Sequence, residues 1–274
     1  MILKYVIEED GLLVKEYLEK IGLSRNIRKK ARVQDIIYIN GDKSKNYVLL
    51  HKGDILELKF TEKANDNITS VASDLDIKYE DEYLMVINKP KGISSQPSRK
   101  HVTDNIISMI KHYFEVNNIN SNVHLVNRLD FQTSGLMIIA KDGITHFAFS
   151  KIDIKKLYLC EIVGHIEPVS GIIDLPIARE KAPSIKRYVS EEGKRSITKY
   201  KVIKKLENKD LVEVLLETGR THQIRVHFSY LHHPLVGDEL YGTKDECLKL
   251  HCFSLTFKHP WKNENIEIVD YPSW

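Results

Sequence analysis

The chain has 274 residues, 42% of them hydrophobic and 29% charged, enough apolar content to bury a sizeable core in one large domain or two smaller ones. No apolar run approaches the roughly 20 residues that span a bilayer, and Met1-Ile2-Leu3-Lys4 opens directly into structured-looking sequence without a basic leader, so a cytoplasmic protein without membrane contact is expected. A net charge of +3 is too small to argue for a nucleic-acid partner by itself, and the distribution of charge has to decide that question.

Val14, Leu18 and Ile21 fall at helical spacing, and Gly22 can end that helix. Ser24 reads as the cap of a second helix, on which Arg25, Arg28, Lys29 and Arg32 follow at three- and four-residue steps and form a basic face opposite Ile27 and Ala31. Residues 36–39, the turn Asn40-Gly41-Asp42 and the alternating stretch 55–60 supply short strands. Residues 61–74, with Asn65-Asp66-Asn67 and few large apolar side chains, have the composition of a linker. The expected organisation is therefore a small α/β module with a basic, RNA-binding face over 1–62, a linker over 63–74 and a large second domain over 75–274.

Beyond the linker, residues 84–87, 136–140, 158–163, 197–203, 211–216 and 253–257 are strand candidates, and 103–113 carries Ile106, Ile110 and Tyr113 on one side of a helix. Strands outnumber helices and do not alternate with them. The pattern gives an α+β class, with a mainly antiparallel mixed sheet and flanking helices. Residues 181–205 hold nine Lys/Arg against Glu191 and Glu192, a second basic cluster that can neutralise phosphates. A solvated lysine-rich face explains such a cluster equally well.

One carboxylate stands apart. In Asn127-Arg128-Leu129-Asp130-Phe131-Gln132-Thr133-Ser134-Gly135, a polar turn leads into the apolar strand 136–140, and Asp130 sits at its mouth beside Arg128, where adjacent positive charge favours the ionised acid. The plainer alternative is that Asp130 caps the turn. A second segment runs from Glu217 through Gly219-Arg220-Thr221-His222-Gln223-Ile224-Arg225 to His227, after the alternating run 211–216. Thr221 reads as an N-cap, with Ile224, Phe228 and Leu231 recurring along the following helix. His222, Arg225 and Ser229 share a face of that helix, which places Arg225 to pair with Asp130.

Cys160, Cys247 and Cys252 form an odd, scattered set that argues against a disulfide framework and for a reducing compartment. Neither they nor His222, His227, His232 and His233 have the spacing of a metal site, and no metal is expected.

Taken together, these motifs resemble those of the RluA-like pseudouridine synthases over nearly the whole chain. The resemblance rests on Asn88-Lys89-Pro90-Lys91-Gly92, Arg128-Leu129-Asp130 with Thr133-Ser134-Gly135, Lys156-Leu157-Tyr158 with Gly164, and the Gly219-to-Arg225 segment with His227. It continues through His233-Pro234-Leu235-Val236-Gly237-Asp238, Leu250-His251 and His259-Pro260. It implies isomerisation of uridine in structured RNA, with no cofactor. By resemblance Asp130 is the nucleophile, Arg225 holds it, and Tyr158 stacks on the uracil and takes a proton from carbon five. Arg128, Arg220, His222, Gln223 and Lys89 contact RNA or substrate, while Leu215 and Ile224 wall the pocket. The amino-terminal part looks like an αL-type RNA-binding motif, with Arg25, Arg28 and Lys29 on the RNA. Ribosomal RNA is the favoured partner and transfer RNA the second, without an obligate protein partner, for a monomer. Asn127 and Gln96 depart from the family's usual His at these positions and read as changes in RNA contact or turn geometry. Two rivals remain: a non-catalytic RNA-binding or ribosome-assembly protein, and a glycoside or nucleoside hydrolase, which normally needs a second, paired carboxylate.

Overall fold

The structure, a computed structural model, describes residues 2–23, 25–33, 35–60, 67–98, 100–243 and 247–274. Its contacts divide the chain into two units, Met1–Ala64 and Asn65–Trp274. The expected cap Ser24 and the first part of the expected linker, 61–66, lie outside the described residues.

In the first unit β1 (Ile2–Val6), β2 (Leu12–Leu13), α1 (Val14–Lys20) and α2 (Arg25–Val33) precede β3 (Ile37–Ile39), β4 (Asp42–Lys43), β5 (Leu49–Leu50) and β6 (Ile55–Lys59). The sheet runs β1-β6-β3-β4, all antiparallel, and β2 pairs with β5. Its tightest turn follows from residue type: Asn40 and Gly41 both have positive φ, 53° and 91°, between the paired Ile39 and Asp42. Alternation in β6 buries Leu56 and Leu58, and helix periodicity buries Val14, Leu18, Ile27 and Ala31. On α2 this leaves Arg25 and Lys29 exposed, while Arg28 pairs with Glu19 at 2.6 Å.

The second unit contains β7 (Ile77–Glu80), β8 (Leu84–Lys89), α3 (Ile106–Val116), β9 (His124–Leu125), β10 (Ser134–Ala140), α4 (Gly143–Phe149), β11 (Ile154–Val163) and β12 (Ser170–Asp174). It continues with β13 (Ile177–Arg179), β14 (Arg187–Val189), β15 (Ile197–Lys205), β16 (Lys209–Leu216), α5 (Gln223–Tyr230), β17 (Leu250–Lys258) and β18 (Asn265–Val269). The sheet order is β12-β15-β16-β11-β17-β10-β8-β7, with β18 on β17 and β9 on β10. Only the β10–β17 seam is parallel among these pairs, so the sheet is mixed and mainly antiparallel, as expected. Strand β10 reads Ser-Gly-Leu-Met-Ile-Ile-Ala and is buried along its whole length, which is why its sequence is continuously apolar instead of alternating.

The expected helix at 103–113 starts and ends three residues later, because Asn105 caps it by accepting the Ser108 N–H at 3.0 Å. Residues 68–71 run along this helix: Val71 N–H donates to Ser108 O, and Lys111 Nζ donates to Ile68 O. This part of the expected linker is thus held by the second unit.

Candidate active site

Three neighbouring strands set the frame. Gly135 of β10, Cys252 of β17 and Tyr158 of β11 lie in one register, Gly135 opposite Cys252 and Cys252 opposite Tyr158. Gly135 has φ +119°, and an added Cβ would come within 2.4 Å of the Cys252 carbonyl oxygen, so the parallel seam can close only over glycine here. A register shift at Leu157/Tyr158 re-aims the tyrosine where the turn carrying Asp130 leaves the sheet.

The Asp130 turn is anchored on both flanks by the segment 89–95. Ser95 Oγ donates to Leu129 O at 2.6 Å and accepts from Leu129 N at 3.2 Å. Gly92 N and Lys89 Nζ both donate to Phe131 O, at 2.9 and 3.4 Å. Asn127 adds a brace at the turn's entrance: its side chain donates to Leu136 O and accepts from Ile138 N, so this departure from the family pattern serves turn geometry. Between these anchors the Asp130 carboxylate accepts no hydrogen bond from any described side chain or N–H. Its charge is felt by Lys89, Tyr158, His222 and Arg225.

Asp130 faces a cavity of about 500 Å³, within the range that takes a small organic ligand. Arg128, Tyr158, Arg220, His222, Ile224 and Arg225 line it together with Asp130, so the structure gathers most of the expected site residues around one space. Asp130 is the single acid among the lining residues, against Arg128, Lys156, Arg220 and Arg225. Such a balance suits a polyanion.

Several expectations need correction. Arg225 is not bonded to Asp130. Its guanidinium is bidentate to Asp238, Nε to Oδ2 and Nη2 to Oδ1 at 2.7 Å each, and both side chains are nearly sealed from solvent. Burial opposes the Arg225 charge, but the Asp238 hydrogen bonds outweigh it and raise the guanidinium pKa. Asp238 also accepts the N–H groups of Leu240 and Tyr241, which makes it the acceptor best matched to a planar fork.

Lys89 does not contact RNA. It is fully buried, and its Nζ donates to Pro90 O at 2.7 Å, Ile93 O at 2.9 Å and Phe131 O. Gln223 does line the cavity, but it is buried with its amide spent on Thr218, the Arg220 N–H, Ile197 O and Thr198. It ties the loop after β16 to β15. The wall beside Ile224 is Leu216 and not Leu215, because alternation puts Leu216 in phase with the buried Val212 and Val214.

Tyr158 is buried against Cys252, and burial pushes its phenol pKa well above the usual 10. The neutral phenol presents its ring and hydroxyl to the cavity. Finally, Thr221 is not the cap of α5. That position belongs to His222, in the left-handed conformation with φ 58° and ψ 19° and no side-chain cap bond. His222 Nδ1 instead meets Tyr241 Oη at 2.8 Å, and burial lowers the imidazole pKa, so the ring is neutral at pH 7.

Sequence reasoning passed over Ser95, Leu216 and Tyr241 and gave Asp238 no role. Tyr241 connects several elements: its ring lies 5.2 Å from the Arg225 guanidinium carbon and its hydroxyl accepts the Arg187 N–H at 2.9 Å. His222, Arg225 and Ser229 do share a helix face, as expected, and it is turned to the segment 238–241.

Burial holds Lys89 down at a pKa of about 7, against its ordinary 10.5, although Asp130 pulls the other way. Between those two values the unfolded chain binds a proton that the folded chain lacks, so Lys89 makes stability rise with pH from about 7 to 10.5. Lys89→Met should remove that rise and, by leaving buried carbonyls unpaired, cost about 1–3 kcal/mol. Urea unfolding of both proteins at several pH values checks this; a pH-independent difference between them would count against it.

The family model for RNA pseudouridylate synthase matches residues 83–230, which contain both anchors of the Asp130 turn, Tyr158 and all of α5. The Bacillus subtilis protein called uncharacterized RNA pseudouridine synthase YjbO is 37% identical over 269 residues, 93% of each chain. The dual-specificity RNA pseudouridine synthase RluA of Vibrio parahaemolyticus is 36% identical over 202 residues, 68% of this chain and 78% of that one. Among solved structures, human RNA pseudouridylate synthase domain containing 1 superimposes with a TM-score of 0.60 at 25% identity, covering 73% of this chain and 84% of that one. The chain belongs to the RNA pseudouridine synthase family, in its RluA-like branch, and is an RNA-modifying isomerase.

Proposed function

We propose that the enzyme isomerises uridines of large-subunit ribosomal RNA, acting through Asp130 on a nucleotide swung out into the 500 Å³ cavity. The observation that carries this reading is the Asp130 carboxylate itself, which lines the cavity, lacks hydrogen-bond partners among the described residues and stands beside cationic walls. In the reaction the bond from N1 to C1′ breaks, the uracil turns while held in the pocket, and C5 bonds to C1′. The hydrogen on C5 leaves and N1 gains one, so no oxidant, metal or net water is required. Asp130 attacks C1′ or stabilises charge on the sugar, or removes a sugar proton in an elimination route. Tyr158, Leu216 and Ile224 form the apolar walls that hold the base. Arg128 and Arg220, both exposed, hold the flanking phosphates, and extrusion of the nucleotide costs a few kcal/mol that such contacts offset. A hydrolase would use a second carboxylate, and the lining has none besides Asp130.

Ribosomal RNA is favoured over transfer RNA because the first unit carries the basic face of α2. Replacing Arg25, Arg28 and Lys29 together with Ala should weaken RNA binding and flatten its dependence on salt by about two units of log–log slope. Exposed Arg25 and Lys29 should account for most of this, since Arg28 is already paired with Glu19. An unchanged slope in filter binding would remove α2 from the interface. The RNA class itself is tested by mapping pseudouridines through carbodiimide adducts and primer extension in a gene-deletion strain and its parent. Missing stops in large-subunit RNA support this reading, and stops missing only from transfer RNA overturn it.

A further inference from the structure

Phe131 follows Asp130 directly, yet its ring is left outside the core. It is 37% exposed and lines the same cavity. Its backbone is fixed, because Gly92 N–H and Lys89 Nζ both hold its carbonyl oxygen. The ring of His101 lies 4.6 Å away, tilted by 32°, beside the Phe131 ring that lines the cavity. His101 is itself oriented: its Nδ1 meets Asp104 Oδ2 at 2.6 Å, and its backbone exchanges hydrogen bonds with Ser98. Apolar packing does not require this arrangement, since Phe131 is exposed, His101 is half-buried and neither belongs to the buried core. A pre-oriented aromatic surface beside a polyanion-binding pocket has the chemistry that planar bases recognise.

We propose that Phe131 and His101 form a shelf on which the RNA base next to the extruded uridine stacks. The inference rests on the isomerase reading, in that a nucleotide leaving its stack exposes the face of its neighbour, and the shelf covers that face. Phe131 is adjacent to the acid that meets the sugar, so a base on this shelf is one backbone step from the reacting nucleotide. Because stacking involves no phosphate, the shelf adds affinity without releasing counterions.

The test uses the full-length protein and total RNA, labelled with tritium at uridine C5, from a strain lacking the gene. Phe131→Leu keeps apolar bulk but removes the π-face. It should raise KM for tritium release by about 5- to 100-fold, change kcat far less, and leave the salt slope of kcat/KM unaltered. Phe131→Trp should bring KM back to within about twofold of wild type, and its added indole emission should be quenched when unlabelled RNA is titrated in. Thermal melts identify any variant that fails to fold. A wild-type KM in Phe131→Leu, or an added indole that RNA does not quench, overturns the shelf. Absence of tritium release by the wild-type protein would speak against the isomerase reading, while the quenching of Phe131→Trp would still decide the shelf.

Discussion

Asp130→Asn is expected to lower the isomerisation rate by about 10⁴-fold or more while RNA affinity and melting temperature stay close to wild type. The substitution keeps the shape of the side chain and removes its charge. The carboxylate has no hydrogen bond to lose, because no described residue donates to it and the turn is held through the backbone of Leu129 and Phe131. Affinity is also insulated, since the cations lining the pocket remain and the one acid among its lining residues is neutralised. What the variant loses is the group that acts at the sugar, and removal of such a group typically costs several orders of magnitude in rate. Single-turnover kinetics with saturating enzyme, run beside filter binding and thermal melts, separates the three quantities. Retained turnover would refute the assignment, and a large fall in melting temperature would show that Asp130 is a structural cap after all.

Asp238→Ala should have the opposite profile, with stability as its main casualty. It strands the buried Arg225 guanidinium and frees the N–H groups of Leu240 and Tyr241. Breaking a buried pair from one side costs about 3–5 kcal/mol. At roughly 2–4 °C per kcal/mol for a domain of this size, the melting temperature should fall by about 6–20 °C. The loss is not additive with that of Arg225→Ala, because each single variant removes the same pair. A double-mutant cycle should therefore give a coupling of about 1–3 kcal/mol. Additive losses would mean that the two side chains act independently.

The fold could be read from the sequence wherever one periodicity dominated. Strand β10 stood out as a continuous apolar run because it is buried on both faces, and the heart of β16 stood out by alternation. Shorter elements such as β9, β13, β14 and β18, with two to five residues each, carry too few side chains to show a period. Helix α4 left one usable signal, Asp142 after the β10 strand, whose carboxylate accepts the N–H groups of Ile144 and Thr145 at 2.8 Å each.

At the site, motif order correctly brought Asp130, Tyr158 and Arg225 to one cavity, although they are far apart in sequence. Partner choice was not legible. Arg225 had two acids within reach in the fold, and the one that won is fixed by a pair of backbone donors that no spacing reveals. Lys89 misled for a related reason. A lysine is ordinarily expected in water, and only the folded turn supplies the three carbonyls that let its ammonium be buried. Leu215 and Leu216 differ by a single step of strand phase, the distance at which every side chain changes face.

The fate of uridine in RNA is the most direct readout of the Asp130 assignment. RNA labelled with tritium at C5 and incubated with the wild-type protein should release tritium to water in equal number to the pseudouridines formed, with no free uracil, and Asp130→Asn should release none above background. Free uracil without pseudouridine, or equal release by both proteins, would contradict it.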